Sequence, residues 1–72
     1  MRTKEEAIEL FKPHPTTDES TLRRYRLVSD WFVALVEALY NTMPDGPGKT
    51  YALRKLQDAH AAVNAAIANK GQ

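Results

Sequence analysis

The sequence predicts an all-α fold: an antiparallel helical hairpin with a short N-terminal helix, assembling into a symmetric homo-oligomer. Three observations predict it. Apolar residues recur three and four apart over two long stretches, the spacing of a helix face and not of a strand. All four prolines and two of the three glycines gather at 13–15 and 44–48, outside those stretches. Finally, a chain of 72 residues folding alone hides only about 60% of its unfolded surface, and this one carries more apolar helix surface than a single hairpin can cover. One domain, residues 1–72, accounts for the length: a short helix over 1–12, a Pro-rich connector over 13–17, a long helix over 18–42, a turn over 43–48 and a last helix over 49–69.

Each element has a local cause. Thr3 with Glu6 is a capping-box pair, and Glu5 and Glu6 place negative charge where the helix dipole favours it. The helix begun there should reach about Phe11 and bury Ala7, Ile8 and Phe11. Pro13 and Pro15 then hold Lys12 to Pro15 extended. Thr16 with Glu19, or Thr17 with Ser20, caps the long helix, which meets no Gly or Pro before Pro44-Asp45-Gly46-Pro47-Gly48. A last helix opens near Pro47 to Lys49 and stops near Asn69 to Gly71. So short a turn makes the two long helices antiparallel neighbours.

The long helix offers a seam of Tyr25, Val28, Phe32, Leu35 and Leu39, facing Leu53, Leu56, His60, Val63 and Ile67 on the last helix. Leu27, Trp31, Ala34 and Tyr40 form a second apolar set, flanked by Val33 and Val36, and Ala52, Ala59 and Ala66 repeat every seven residues. The short helix can cover part of this surplus. Self-association is the expected fate of the remainder, although surface alanines also serve simply as good helix formers.

Composition excludes several classes. There is no cysteine, hence no disulfide or thiolate metal site, and two histidines are too few for a zinc site unless carboxylates or other subunits contribute. Ten Lys and Arg against nine Asp and Glu give a net charge of +1, which argues against bulk binding to a nucleic acid polymer or an acidic membrane. The apolar run Trp31 to Tyr40 is too short to span a bilayer, and neither a signal core nor a targeting pattern opens the chain. Together these predict a small cytoplasmic-type module.

No Gly-rich phosphate loop, Ser-centred elbow or metal-binding His pair is present, so neither an enzyme nor a cofactor is expected. The remaining candidates are binding residues. Arg23, Arg24 and Arg26 are the densest positive charge; they read as a solvated face, with Glu19 and Asp30 four residues away for ion pairs, or as a phosphate site. Beside Tyr25 and the His14-Pro15 connector, the second reading gains weight. Arginine for phosphate, a flat ring for a base and a rigid connector are what a nucleotide pocket requires. His14, held between two prolines, would be a fixed imidazole, or would face water. Lys49 and Arg54, near the start of the last helix, read as a second anion pocket at a symmetry axis, or Lys49 as a plain surface lysine. His60 falls on the apolar seam and reads as a hydrogen-bonded core histidine. Asn64 reads as an inter-helical hydrogen bond or a ligand contact, and Trp31 as core rather than a stacking platform.

The order of these pieces resembles a family. Phe11-Lys12-Pro13-His14-Pro15-Thr16, the Tyr25-bearing helix, the Pro44-Asp45 turn, Ala52-x-x-x-Leu56-Gln57-Asp58-Ala59 and Asn64-Ala65-Ala66-Ile67-Ala68 are similar to the hairpin domain of bacteriophage anti-CBASS and anti-Thoeris cyclic-nucleotide sponges. The resemblance covers residues 11 to 69. It implies a helical oligomer, commonly a hexamer, that acts in the cytoplasm of the bacterial host. There it would hold a cyclic di- or trinucleotide or a cyclic ADP-ribose variant without cleaving it, and so block anti-phage signalling. On that reading Arg26 with Arg23 holds phosphate, Tyr25 and His14 frame a base, and Lys49 with Arg54 serves a second pocket. The chain departs from the family pattern at Pro13, at Gly46-Pro47-Gly48, at Ala62 and at Asn69, so scaffold positions match better than ligand positions. A small helical module that binds a protein partner through Trp31 and Tyr40 of the long helix is the alternative.

Overall fold

The computed structural model describes residues 2–69 and is helical throughout its regular structure: α1 spans Lys4–Glu9, α2 Glu19–Thr42 and α3 Pro47–Ala68. The Thr3 capping box forms as expected. Thr3 Oγ1 accepts from the Glu6 amide at 3.1 Å, and Glu6 Oε1 accepts from the Thr3 amide at 2.9 Å. Those same bonds hold the Glu6 carboxyl below its ordinary pKa. Regular α1 stops short of Phe11. The Leu10 and Phe11 amides donate instead to Ala7 and Ile8, three residues back, at 3.1 and 3.0 Å, a tightened last turn. Pro13, which lacks an amide hydrogen and bars helix from the residue before it, ends the element there.

The cap of α2 is Asp18, not Thr16 or Thr17. Its carboxylate accepts from the Ser20 amide at 3.1 Å and the Thr21 hydroxyl at 2.8 Å. Thr16 supports this cap from outside the helix, its hydroxyl accepting from the Asp18 amide at 3.3 Å. A carboxylate both accepts these bonds and answers the helix dipole, so it takes the position from a nearby hydroxyl. Pro47 opens α3 at its first turn, as Pro prefers. Gly46 before it has φ +149°, a backbone that a residue with a Cβ rarely adopts. Asn69 caps α3; Gly71, the further end of the expected stop, lies outside the described residues.

Residues late in α2 meet residues early in α3. Lys49 lies over Tyr40, His60 packs edge-on against Phe32, and Ile67 shares a hollow with Tyr25. α1 packs on α2, and Phe11, just beyond it, is fully buried with its ring stacked on Phe32 at 5.7 Å. Buried Ser29 donates its hydroxyl to the Phe11 carbonyl and fixes the exit from α1.

The core is Ala7, Phe11, Val28, Phe32, Val36, Leu39 and Leu53. It differs from the expected seam in one respect with consequences. Val36 is fully buried, whereas Leu35 is 51% exposed. A straight α2 must serve α3 and α1 together, so its buried stripe turns toward Ser29 and Val36 and carries Leu35 outward. Trp31, expected in the core, is 60% exposed, and Val63 lies at the rim. Ile8 is only partly buried. Among the described residues, no helix is long and apolar enough to cross a membrane.

Candidate functional site

The proline-bounded connector brings His14 onto α2. Its imidazole tilts against the Tyr25 ring, centroids 5.3 Å apart and planes at 60°. Tyr25 is buried from α2, while His14 stays exposed. This ring pair stands between two hollows. The larger, about 940 Å³ and open to solvent, is lined by the pair together with Thr21 and Arg24 of α2 and Val63 and Ile67 of α3, among others. The smaller, about 450 Å³, is bounded by the same two rings and by Leu10, Gln57, His60 and Asn64.

Of the expected site residues, the structure therefore joins His14 and Tyr25 and separates the others. Arg23 and Arg26 line a different, shallow hollow with Glu19 and Leu22. The guanidinium-bearing residue in the ring-pair hollow is Arg24. The reason is helix phase: with Tyr25 turned inward, Arg24 shares its side of α2 with Thr21 and Val28, toward α3, while Arg26 projects with Leu22 to the other side. The sequence carried this signal in the three- and four-residue steps Thr21–Arg24–Val28. The expected ion pairs from Glu19 to Arg23 and from Arg26 to Asp30 do not form among the described residues.

Lys49 is neither a surface lysine nor half of an anion pocket. It is 5% exposed, its ammonium 2.9 Å from Asp45 Oδ1 and 4.1 Å from the Tyr40 ring centroid. The Tyr40 hydroxyl in turn donates to the Arg2 carbonyl at 2.9 Å. A lysine so engaged has no free charge for a ligand, and Tyr40 is committed to the fold rather than offered to a partner. Arg54 lines shallow hollows near the turn with Thr50 and Tyr51, away from the ring pair.

His60 is buried where the sequence placed it, edge-on to both Phe11 and Phe32 at 5.1 Å. Burial pushes its pKa below 6.5, and the neighbouring His14 pushes it further the same way. Asn64 reaches back along its own helix, its amide nitrogen 3.4 Å from His60 Nε2, the weak end of hydrogen bonding. Its carbonyl oxygen is buried with no hydrogen-bond partner among the described residues. This hydrogen-bonding edge beside two rings was only half visible in the sequence, which marked Asn64 as out of place in an alanine-rich helix.

The arrangement can stack a flat group against His14 and Tyr25 and neutralise an anion at Arg24. In the same hollow the Thr21 hydroxyl donates to the Asp18 carboxylate at 2.8 Å, and no cluster of three metal-ligating side chains occurs among the described residues. No family model matches the chain, and no curated protein or solved structure matches it either.

Proposed function

We propose that this chain is a non-catalytic binding protein that sequesters a cyclic nucleotide signal, of the cyclic di- or trinucleotide or cyclic ADP-ribose type, and so blocks anti-phage defence in the host cytoplasm. Its working form is a symmetric homo-oligomer of antiparallel α2–α3 hairpins, a hexamer by the resemblance above. The observation that carries the reading is the His14–Tyr25 ring pair on the wall of the hollow that Arg24 also lines. A nucleotide needs a flat surface for its base and a planar fork of donors for its phosphate. The volume, about 940 Å³, lies within the range of small-molecule sites.

Isothermal titration with a panel of cyclic nucleotides tests this, with the ligand afterwards recovered and identified. Saturable heat with intact ligand is expected. Arg24→Ala should weaken binding at least tenfold, and Arg26→Ala should leave it within about twofold. Equal losses in both would remove the ring-pair hollow from the site, and no heat across the panel would end the proposal.

The exposed Trp31 favours a second reading, in which α2 docks a protein partner. Replacing Trp31 would then abolish partner capture and leave any nucleotide affinity unchanged.

A further inference from the structure

α1 and the connector close one face of the α2–α3 layer and leave the other bare. On that bare face Leu27, Trp31 and Leu35 follow one another at intervals of four, one ridge along α2, and on α3 Val63 is the exposed large aliphatic residue. Their exposures are 50%, 60%, 51% and 36%. Exposed apolar residues scattered singly need no explanation, but a continuous ridge of large ones marks a contact surface. A two-layer domain buries each apolar face against something.

We propose that a second copy of this chain covers this face, α2 crossing its counterpart antiparallel about a two-fold axis at Trp31. Three features select that occupant and that direction. Trp31 lies at the midpoint of α2 (Glu19–Thr42), so a two-fold there engages the whole helix and sets Leu27 against the partner's Leu35. The charges of α2 favour this sense. Before the midpoint Arg23, Arg24 and Arg26 outnumber Glu19 and Asp30, a net charge of +1, and Glu37 is the sole charged residue after it. An antiparallel pair brings arginines toward the partner's Glu37, whereas a parallel pair would set arginine against arginine. Area is the third feature. The four side chains leave on the order of 400 Å² exposed per copy. Two faces meeting, with the flanking alanines Ala34 and Ala38 and the helix rims, approach the roughly 1,200 Å² of the smaller stable interfaces. This pairing deepens the homo-oligomer of the proposed function and shares Val63 with the rim of the ring-pair hollow, but it involves no ligand, so its failure and a failure of nucleotide binding are read separately.

The test uses the wild-type chain, whose only tryptophan lies at the centre of the surface. Light scattering across a dilution series should give an even multiple of the 8.1 kDa monomer mass falling toward the monomer. The Trp31 emission should move to longer wavelength over the same concentrations as the ring becomes wet. Trp31→Arg should raise the dissociation constant at least tenfold while circular dichroism keeps its helical signal. Arg23→Glu should weaken pairing, and the double variant Arg23→Glu, Glu37→Arg should restore it. Should Trp31→Arg unfold, the wild-type dilution series and the charge exchange still decide. A monomer at all concentrations overturns the proposal and leaves the face to a different protein. So does a mass change with invariant Trp31 emission, or pairing undiminished in folded Trp31→Arg.

Discussion

At one end of the α2–α3 pair, beside the turn, the Lys49 ammonium lies over the Tyr40 ring and against Asp45, and hardly any of it meets water. At the other end, beside the connector, Tyr25 meets the His14 ring, and Arg24 lines the adjoining hollow with Asp18 but forms no ion pair with an acidic side chain among the described residues. Both ends combine aromatic and cationic residues near a proline-bounded segment. At the turn end the cation is consumed inside the fold; at the connector end it is left available. The same chemistry therefore serves as a clasp where the carboxylate closes on the cation, and as a candidate site where the nearby carboxylate, Asp18, accepts from the Ser20 amide and the Thr21 hydroxyl instead. Residue type alone does not separate these cases. The position of Asp45, four residues before Lys49, does.

The largest test of that contrast is Phe11→Ala. Phe11 has no exposure and stacks on Phe32 at 5.7 Å, so its removal leaves a cavity costing about 3–5 kcal/mol. It also anchors the residues that lead into the connector, through the Ser29 hydroxyl on its carbonyl. Denaturant unfolding of the variant should show the stability loss, and any residual folded protein should lose ligand heat as well. Ligand affinity preserved in the folded fraction would mean that the connector end does not hang on this core.

Next in size is the clasp. Lys49→Ala removes the cation–π contact, the Asp45 pair and the packing of the lysine stem, and should cost about 1–3 kcal/mol. Lys49→Met retains the stem and isolates the charge. Since Asp45 is 84% exposed, its share is screened by water, and Asp45→Asn should cost less than Lys49→Ala. Chemical denaturation of the three variants checks the order. Nucleotide titration should be unchanged in all of them, because the clasp is remote from the ring pair. Loss of ligand binding in folded Lys49→Met would return Lys49 to the site and erase the distinction between the two ends.

Much of the fold was legible because its determinants are local. The Thr3–Glu6 box, the proline breaks and the Pro47 start each act within a few residues, and all three form. The phase of α2 was legible at Tyr25, Val28, Phe32 and Leu39, which are buried as expected, but not at Leu35. Spacings of 3.5 and 3.6 residues per turn agree over a few turns and then diverge by about 20° per heptad, and only the presence of α1 decides whether Leu35 or Val36 faces inward. The same rotation explains Arg24. Of three arginines within four residues, Arg23 and Arg26 share one hollow, and the one lining the ring-pair hollow is selected by the helix face on which Tyr25 is buried. Lys49 was misplaced for another reason: a lysine is buried only where an aromatic face and a carboxylate converge, and that convergence is tertiary.

The smallest effect distinguishes the two ends by their response to protons. His60 lies under the connector end, against Phe11, Phe32 and Asn64 with His14 nearby, and both its burial and the His14 ring hold its pKa below 6.5. In the unfolded chain the same imidazole takes up its proton near the ordinary value. As pH falls through 6.5 the unfolded state therefore binds the proton first, and stability declines. Above that pH the group adds no slope. Unfolding free energy measured across this range should fall gently on the acid side, and His60→Gln should flatten the curve. His14→Gln should flatten it only in part, because burial, the larger cause, remains. A slope unchanged in folded His60→Gln would assign the pH response to another group and leave the connector end no more proton-sensitive than the clasp.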